Sequence, residues 1–127
     1  MGAAADIVDA FMAAVERKDI TAAVAFLADD VSYENMPMQP IVGAANVDKA
    51  LHGFLDSASE VEWKIIRQIE QGDVVANERI DRFCIDGSWI ALPVAGFFVV
   101  ANGRITVWRD YFDLPSYTNQ LAALRKG

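Results

Sequence analysis

Three short stretches of the chain place polar residues two apart among apolar neighbours: Tyr33 and Asn35 in SYENM, Arg79 and Asp81 in NERIDRF, Trp108 and Asp110 in VWRDYFD. Strand side chains alternate faces, so residues i and i+2 point the same way. Each pair therefore aims at one side of its strand, together with Val31, Phe83 and Phe112 respectively. If those three sides are one, two carboxylates and a guanidinium meet in an apolar cavity. Arg79 is always charged and planar, and can fork between Asp81 and Asp110. Two carboxylates against one fixed cation leave net negative charge where water is scarce. Burial and like-charge repulsion then favour a proton on one of them, while the other stays ionised. That is an acid and a base at neutral pH, the arrangement that general acid–base chemistry uses. Tyr33 and Asn35 offer donors and acceptors suited to fixing a water molecule. Acid, base and held water make a hydrolytic set that needs no covalent nucleophile. On residue types alone a second reading stays open, a buried ion network with no chemistry, because such networks also perturb pKa values.

The elements that must position these residues follow from periodicity. Residues 4–17 read as an amphipathic helix with Ile7, Phe11, Ala14 and Val15 at helical spacing. Thr21 is expected to cap a second, short helix, TAAVAFLA. VSYENM is a strand stopped by Pro37 and Pro40. Gly43 opens a third helix near Asn46 that runs through DKALHGFLDSA. From Val61 the period becomes that of strands: VEWKIIRQIE, a Gln71-Gly72-Asp73 turn, VVANERIDRFCI, an Asp86-Gly87 hairpin, SWIALPVAGFFVV, an Asn102-Gly103 hairpin, and RITVWRDYFDL. After Pro115, SYTNQLAALRK closes as a helix. The order predicts an α+β fold: a curved, mostly antiparallel sheet with helices packed on its concave side and a pocket at its centre.

Length and composition narrow the function. The chain has 127 residues, which predicts a single domain over residues 1–127. Its 54% apolar content exceeds an ordinary globular share, so the surplus must line a cavity or cover a subunit interface. A formal net charge of −7 argues against nucleic acid and anionic membrane as partners. One cysteine, Cys84, excludes an intrachain disulfide, and one histidine, His52, without matching ligands is not a metal site. No secretory-signal pattern and no apolar run of about 18 residues are present, so a cytoplasmic protein is expected. In SWIALPVAGFFVV, Ile90, Leu92 and Val94 share one face and Trp89, Ala91 and Phe97 the other. A monomer would expose that second face, which predicts a homodimer. Asp113 falls opposite Asp110 and is expected to be exposed or to cap the last helix.

The motifs YENMP, ERID and WRDYFDL resemble limonene-1,2-epoxide hydrolase, over nearly the whole chain. That family sits in the fold group of nuclear transport factor 2 (NTF2), ketosteroid isomerase and SnoaL-type cyclases. The resemblance implies an NTF2-like, cone-shaped α+β barrel, a homodimer, no cofactor, and an epoxide as substrate. It also implies roles. Asp110, with Tyr33 and Asn35, binds and deprotonates the water. Asp81 protonates the opening epoxide oxygen, and Arg79 bridges the two aspartates. Trp108 is expected to donate its indole N–H to a carboxylate. The product is a vicinal diol, formed in one step. Wall candidates are Phe83, Leu92, Val94 and Phe112 from strand parity, with Met12 and Phe54 from the helices. Such a wall suits a small apolar epoxide, alicyclic or terpene-like. The competing expectations are a ketosteroid-isomerase-like or SnoaL-like enzyme, and a non-catalytic small-molecule binder of the same fold.

Overall fold

A computed structural model describes residues 2–126, apart from the side chains of Phe54, Arg125 and Lys126. Helix α1 (Ala3–Glu16) buries Ala4, Ala5, Val8, Phe11, Met12 and Val15 along one helical stripe. Its first turn is held by Glu70, whose carboxylate accepts the N–H groups of Gly2 and Ala5 at 2.8 and 2.7 Å. An anion there also complements the positive end of the helix dipole. Helix α2 (Ile20–Val24) is shorter than the sequence predicts. Its cap is Asp19, which accepts from the Ala22 N–H at 3.1 Å, not Thr21. Helical pattern lost to sheet pairing here: Leu27 is already opposite Ile105, so strand β1 runs Leu27–Asn35.

A two-residue strand β2 (Ile41–Val42), which periodicity is too short to reveal, pairs with β1. Helix α3 (Ala44–Leu55) follows Gly43, whose φ of 96° is open to glycine and costly for other residues. Strands β3 (Glu60–Gln71), β4 (Val74–Ile85), β5 (Ser88–Ala101) and β6 (Arg104–Tyr111) form the meander. The β4–β5 and β5–β6 turns have positive φ at both Asp86-Gly87 and Asn102-Gly103, as two-residue hairpins of this sequence require. Helix α4 (Leu114–Lys126) closes the described chain. The Ser116 N–H donates to Asp113 Oδ2 at 3.2 Å, the capping role expected for that aspartate.

The strand order is β2-β1-β6-β5-β4-β3. All neighbours are antiparallel except β1 and β6, which run parallel, so the curved, unclosed sheet is mixed. Helix α1 packs across the inner face against β3, β4, β5 and β6. Strand β5 alternates from Trp89 onward, with Ile90, Leu92, Val94 and Phe98 buried and Trp89 and Phe97 exposed. Three irregularities set the register around the pocket: in the β1–β6 pairing between Leu27 and Ser32, in β3 between Ile65 and Arg67, and where Val99 and Val100 of β5 meet β6. Among the described residues no helix is long and apolar enough to cross a membrane.

Candidate active site

The register lays one row of residues across five strands: Gln68 opposite Asn77, Asn77 opposite Gly96, Gly96 opposite Asp110, and Asp110 beside Asn35. Four of these are polar and the middle one has no side chain. Neighbouring strands are about 4.8 Å apart, so the glycine leaves a gap of roughly 9–10 Å between Asn77 and Asp110. The guanidinium of Arg79 fills it. A β-carbon on Gly96 would lie 2.3 Å from Arg79 Nη1, 2.8 Å from Asp110 Oδ1 and 3.0 Å from Asn77 Oδ1.

Arg79 is fully buried and spends its donors on three partners. Nε and Nη2 donate to the two oxygens of Asp81, each at 3.0 Å. Nη2 also donates to Asp110 Oδ2 at 2.9 Å, and Nη1 to Asn77 Oδ1 at 2.9 Å. The two carboxylates raise the arginine's already high pKa, against the opposing effect of its burial. Asp81, 4% exposed, is also raised, from the ordinary carboxylate range to about 6. Burial is the main cause. Arg79 opposes it, and the charges of Asp110 and Glu16 add to it. Asp110 is also 4% exposed, and its Oδ1 has no hydrogen-bond partner among the described residues. An acceptor left empty in a buried place is costly unless water or a ligand fills it.

Tyr33 and Asn35 reach the same place because β1 runs parallel to β6, which sets Tyr33 beside Trp108 and Asn35 beside Asp110. The Tyr33 phenol is held well above its ordinary pKa, first by burial and then by the charge of Asp110, so it keeps its proton as a donor. The cavity has a volume of about 70 Å³. Its lining includes Tyr33, Asn35, Asp81 and Asp110, with Phe83, Leu92, Val94 and Phe112 as apolar wall.

Three sequence expectations need correction or fall outside the description. Met12 does not line this cavity; it is 2% exposed, in the core, and borders a separate surface cleft with Asp9 and Glu16. A helix facing the sheet offers its apolar stripe first to core packing, and helical spacing alone does not tell core from pocket wall. Trp108 does not donate to a carboxylate: its Nε1 has no partner among the described residues, and its ring stacks on Tyr33 with centroids 3.8 Å apart. The Phe54 side chain lies outside the described residues.

Sequence reasoning also missed Trp63 and Tyr117, which line the cavity; Met38, in a loop expected over its mouth, lines it too. Trp63 is opposite Asp81, and its ring lies under the Arg79 guanidinium, 5.3 Å from centroid to carbon. Counting back from the β3–β4 turn would pair Trp63 with Arg82 on the outer face. The β3 bulge shifts the register by one and turns it inward. Asn77 and Gly96 were within reach of strand parity, as residues two before Arg79 and two after Val94. Elsewhere, His52 pairs with Asp48 and Asp56 on the exposed face of α3, and Cys84 is buried. No group of three or more His, Cys, Asp or Glu among the described residues is arranged to hold a metal.

Comparison with known proteins bears on what this arrangement does. The limonene-1,2-epoxide hydrolase catalytic domain matches residues 2–123. The chain belongs to that family. It is 36% identical over 107 residues to epoxide hydrolase EphG of Mycobacterium tuberculosis, covering 84% of this chain and 71% of that protein. A solved M. tuberculosis epoxide hydrolase described as limonene-epoxide-hydrolase-like superposes with a TM-score of 0.82 at 34% identity, over 96% of this chain and 94% of that one. A SnoaL-like protein from Shewanella putrefaciens gives a TM-score of 0.86 at 18% identity, over 97% and 98% of the two chains, a likeness of fold alone.

Proposed function

We propose that this epoxide-hydrolase family member adds water to a small apolar epoxide, alicyclic or terpene-like, in one step and without a covalent intermediate. The observation that carries the reading is a single buried guanidinium within 3.0 Å of both carboxylates, one of which is pushed up to about 6. The free Oδ1 of Asp110, with the Tyr33 hydroxyl and the Asn35 amide, holds the water. As the water oxygen attacks an epoxide carbon, its proton passes to Asp110. The carbon–oxygen bond of the ring breaks, and Asp81 gives its proton to that oxygen. The diol leaves with Asp81 ionised and Asp110 protonated, so a proton must return to Asp81 before the next turnover. Arg79 keeps both groups in register through that exchange. The wall of Phe83, Leu92, Val94 and Phe112 favours an apolar substrate body by burial.

The deciding experiment is a single turnover of limonene-1,2-epoxide or cyclohexene oxide in 18O-water. The label is expected in the diol at once. Label entering the protein first would indicate an aspartyl ester and overturn the mechanism. No diol from either epoxide, with proton exchange on a 3-ketosteroid, would replace it with isomerase-like chemistry.

The reading extends to a homodimer through the outer face of the sheet. Trp89, Phe97 and Tyr111 are each more than 40% exposed there, and Phe97 and Tyr111 touch edge to face. A patch of this kind suits a second copy, and its charged neighbours are paired, Arg82 with Glu62 and Arg109 with Glu34. Sedimentation at micromolar concentration should give twice the chain mass; a monomer would refute it.

A further inference from the structure

The donor that Arg79 does not spend on the aspartates leads away from the cavity. Nη1 donates to Asn77 Oδ1 at 2.9 Å. Asn77 Nδ2 donates to Gln68 Oε1 at 3.0 Å, and Gln68 Nε2 donates to Asp9 Oδ1 of α1 at 2.9 Å. Three elements are joined in this chain: β4, β3 and α1. Asn77 is 5% exposed, and the other end, Asp9, is at the surface.

The sense of the chain is fixed from both ends. A guanidinium can only donate, and an ionised carboxylate can only accept. Arg79 therefore forces the Asn77 oxygen toward itself, which turns the amide nitrogen to Gln68. Asp9 forces the Gln68 nitrogen outward, which turns the Gln68 oxygen to Asn77. Neither amide can flip without breaking two hydrogen bonds. A neutral amide is also the right acceptor for Nη1. It satisfies the nitrogen without adding a negative charge to a site that already holds Asp81 and Asp110 and feels the charge of Glu16 from α1.

We propose that Asn77 is a positioning residue for the acid–base pair: it holds the Nη1 end of Arg79 so that Nε and Nη2 meet Asp81 and Asp110 together, with Gln68 and Asp9 fixing its amide. The inference rests on the acid–base reading above. Asn77 touches neither substrate nor water; it acts through the guanidinium. Its loss lets the guanidinium tilt in the gap over Gly96, where the face of Trp63 lies 5.3 Å from its carbon.

The test uses Asn77→Leu, close in volume, and Asn77→Asp, which restores an acceptor for Nη1. With limonene-1,2-epoxide, Asn77→Leu is expected to lower kcat roughly ten- to a hundredfold, the scale of a small misplacement of reacting groups, with KM within about threefold. Asn77→Asp should recover most of kcat and move the alkaline limb of the profile to higher pH, since the added charge makes Asp81 harder to ionise. The discriminating readout is the rescue: a merely structural role would not let an acceptor at position 77 restore kcat in folded variants while Leu lowers it. In the resting protein, exchange of the Arg79 Nε proton with solvent, followed by NMR, should quicken at least about tenfold in Asn77→Leu. That readout needs no turnover. If the wild type opens no epoxide yet the Arg79 proton is loosened, the functional reading fails and the positioning role stands. Should Asn77→Leu not fold, Gln68→Leu at its half-exposed position decides, with an expected loss in kcat of about two- to tenfold and quicker Arg79 exchange. Unchanged exchange, kcat and pH profile in the folded variants would overturn the proposal.

Discussion

Adding one methyl group at Gly96 separates backbone effects from site effects. Gly96 has an ordinary negative-φ strand backbone, unlike Gly43, Gly72, Gly87 and Gly103. Alanine is therefore free of backbone strain there. On chain entropy alone Gly96→Ala should stabilise the protein by about 0.4–1 kcal/mol. The site argues the opposite sign. The new carbon would stand 2.3 Å from Arg79 Nη1 and 2.8 Å from Asp110 Oδ1, well inside contact distance. Arg79 cannot retreat without lengthening its bonds to Asn77, Asp81 or Asp110, and overpacking a tight interior costs about 1–3 kcal/mol before any ion pair is weakened. Breaking a buried pair outright costs about 3–5 kcal/mol. A net loss of about 1–4 kcal/mol follows, which for a domain of this size lowers Tm by roughly 3–5 °C per kcal/mol. Because the guanidinium sets both aspartates, kcat should fall about a hundredfold or more. Thermal unfolding and steady-state kinetics on the same preparation read both quantities. A variant with Tm at or above wild type and kcat within threefold would refute the reasoning, because backbone entropy would then have won and the gap over Gly96 would be irrelevant.

The acid role proposed for Asp81 predicts that kcat/KM falls as pH rises through about 6, where the folded carboxyl loses its proton; a profile flat to pH 8 would remove Asp81 as the acid. The same shift predicts stability, with its sign worked out: the folded pKa is raised, so the contribution is fully present below the unfolded value near 4 and is lost as pH rises through about 6. Urea denaturation at pH 4.5 and 7 should show wild type losing more stability than Asp81→Asn over that interval. Trp108→Phe should leave kcat within about threefold, because Nε1 has no partner, yet cost about 1–2 kcal/mol in stacking and burial against Tyr33 and Phe98. A loss of kcat beyond tenfold in a folded variant would give the indole N–H back its expected role.

What the sequence could reveal divides along local and non-local lines. Period-two alternation needs only one strand, and it aligned Arg79 with Asp81, Trp108 with Asp110, and Ile90 with Leu92 and Val94. The paired turn residues Asp86-Gly87 and Asn102-Gly103 carried their own geometry. The parallel pairing of β1 with β6 is different in kind, because no local signal says which strand Tyr33 and Asn35 will lie beside. The inward turn of Trp63 depends on a bulge, and one extra residue reverses every face beyond it. Asn77 and Gly96 were legible by parity, but a neutral amide and an absent side chain do not announce themselves as a charge does. Met12 shows the converse, a periodic apolar residue whose destination is set by what the helix packs against.

The same particulars bear on whether the buried charges serve chemistry or only structure. A buried ion cluster is a poor route to stability, since well-packed apolar replacements are often as stable or more so. A cluster kept for stability alone would also satisfy every atom. Here Asp110 Oδ1 has no protein partner among the described residues and lies beside a cavity lined by Tyr33 and Asn35, while each oxygen of Asp81 and Nη1 of Arg79 are bonded. Asp81 is destabilised as an anion, to about 6, although a guanidinium touches both of its oxygens. Part of the cost falls on a carboxyl made easier to protonate and on a carboxylate oxygen without a partner among the described residues, beside the likewise unpaired indole N–H groups of Trp63 and Trp108. In the proposed mechanism that carboxyl gives a proton and that carboxylate oxygen holds a water, so substituting either carboxyl should end turnover.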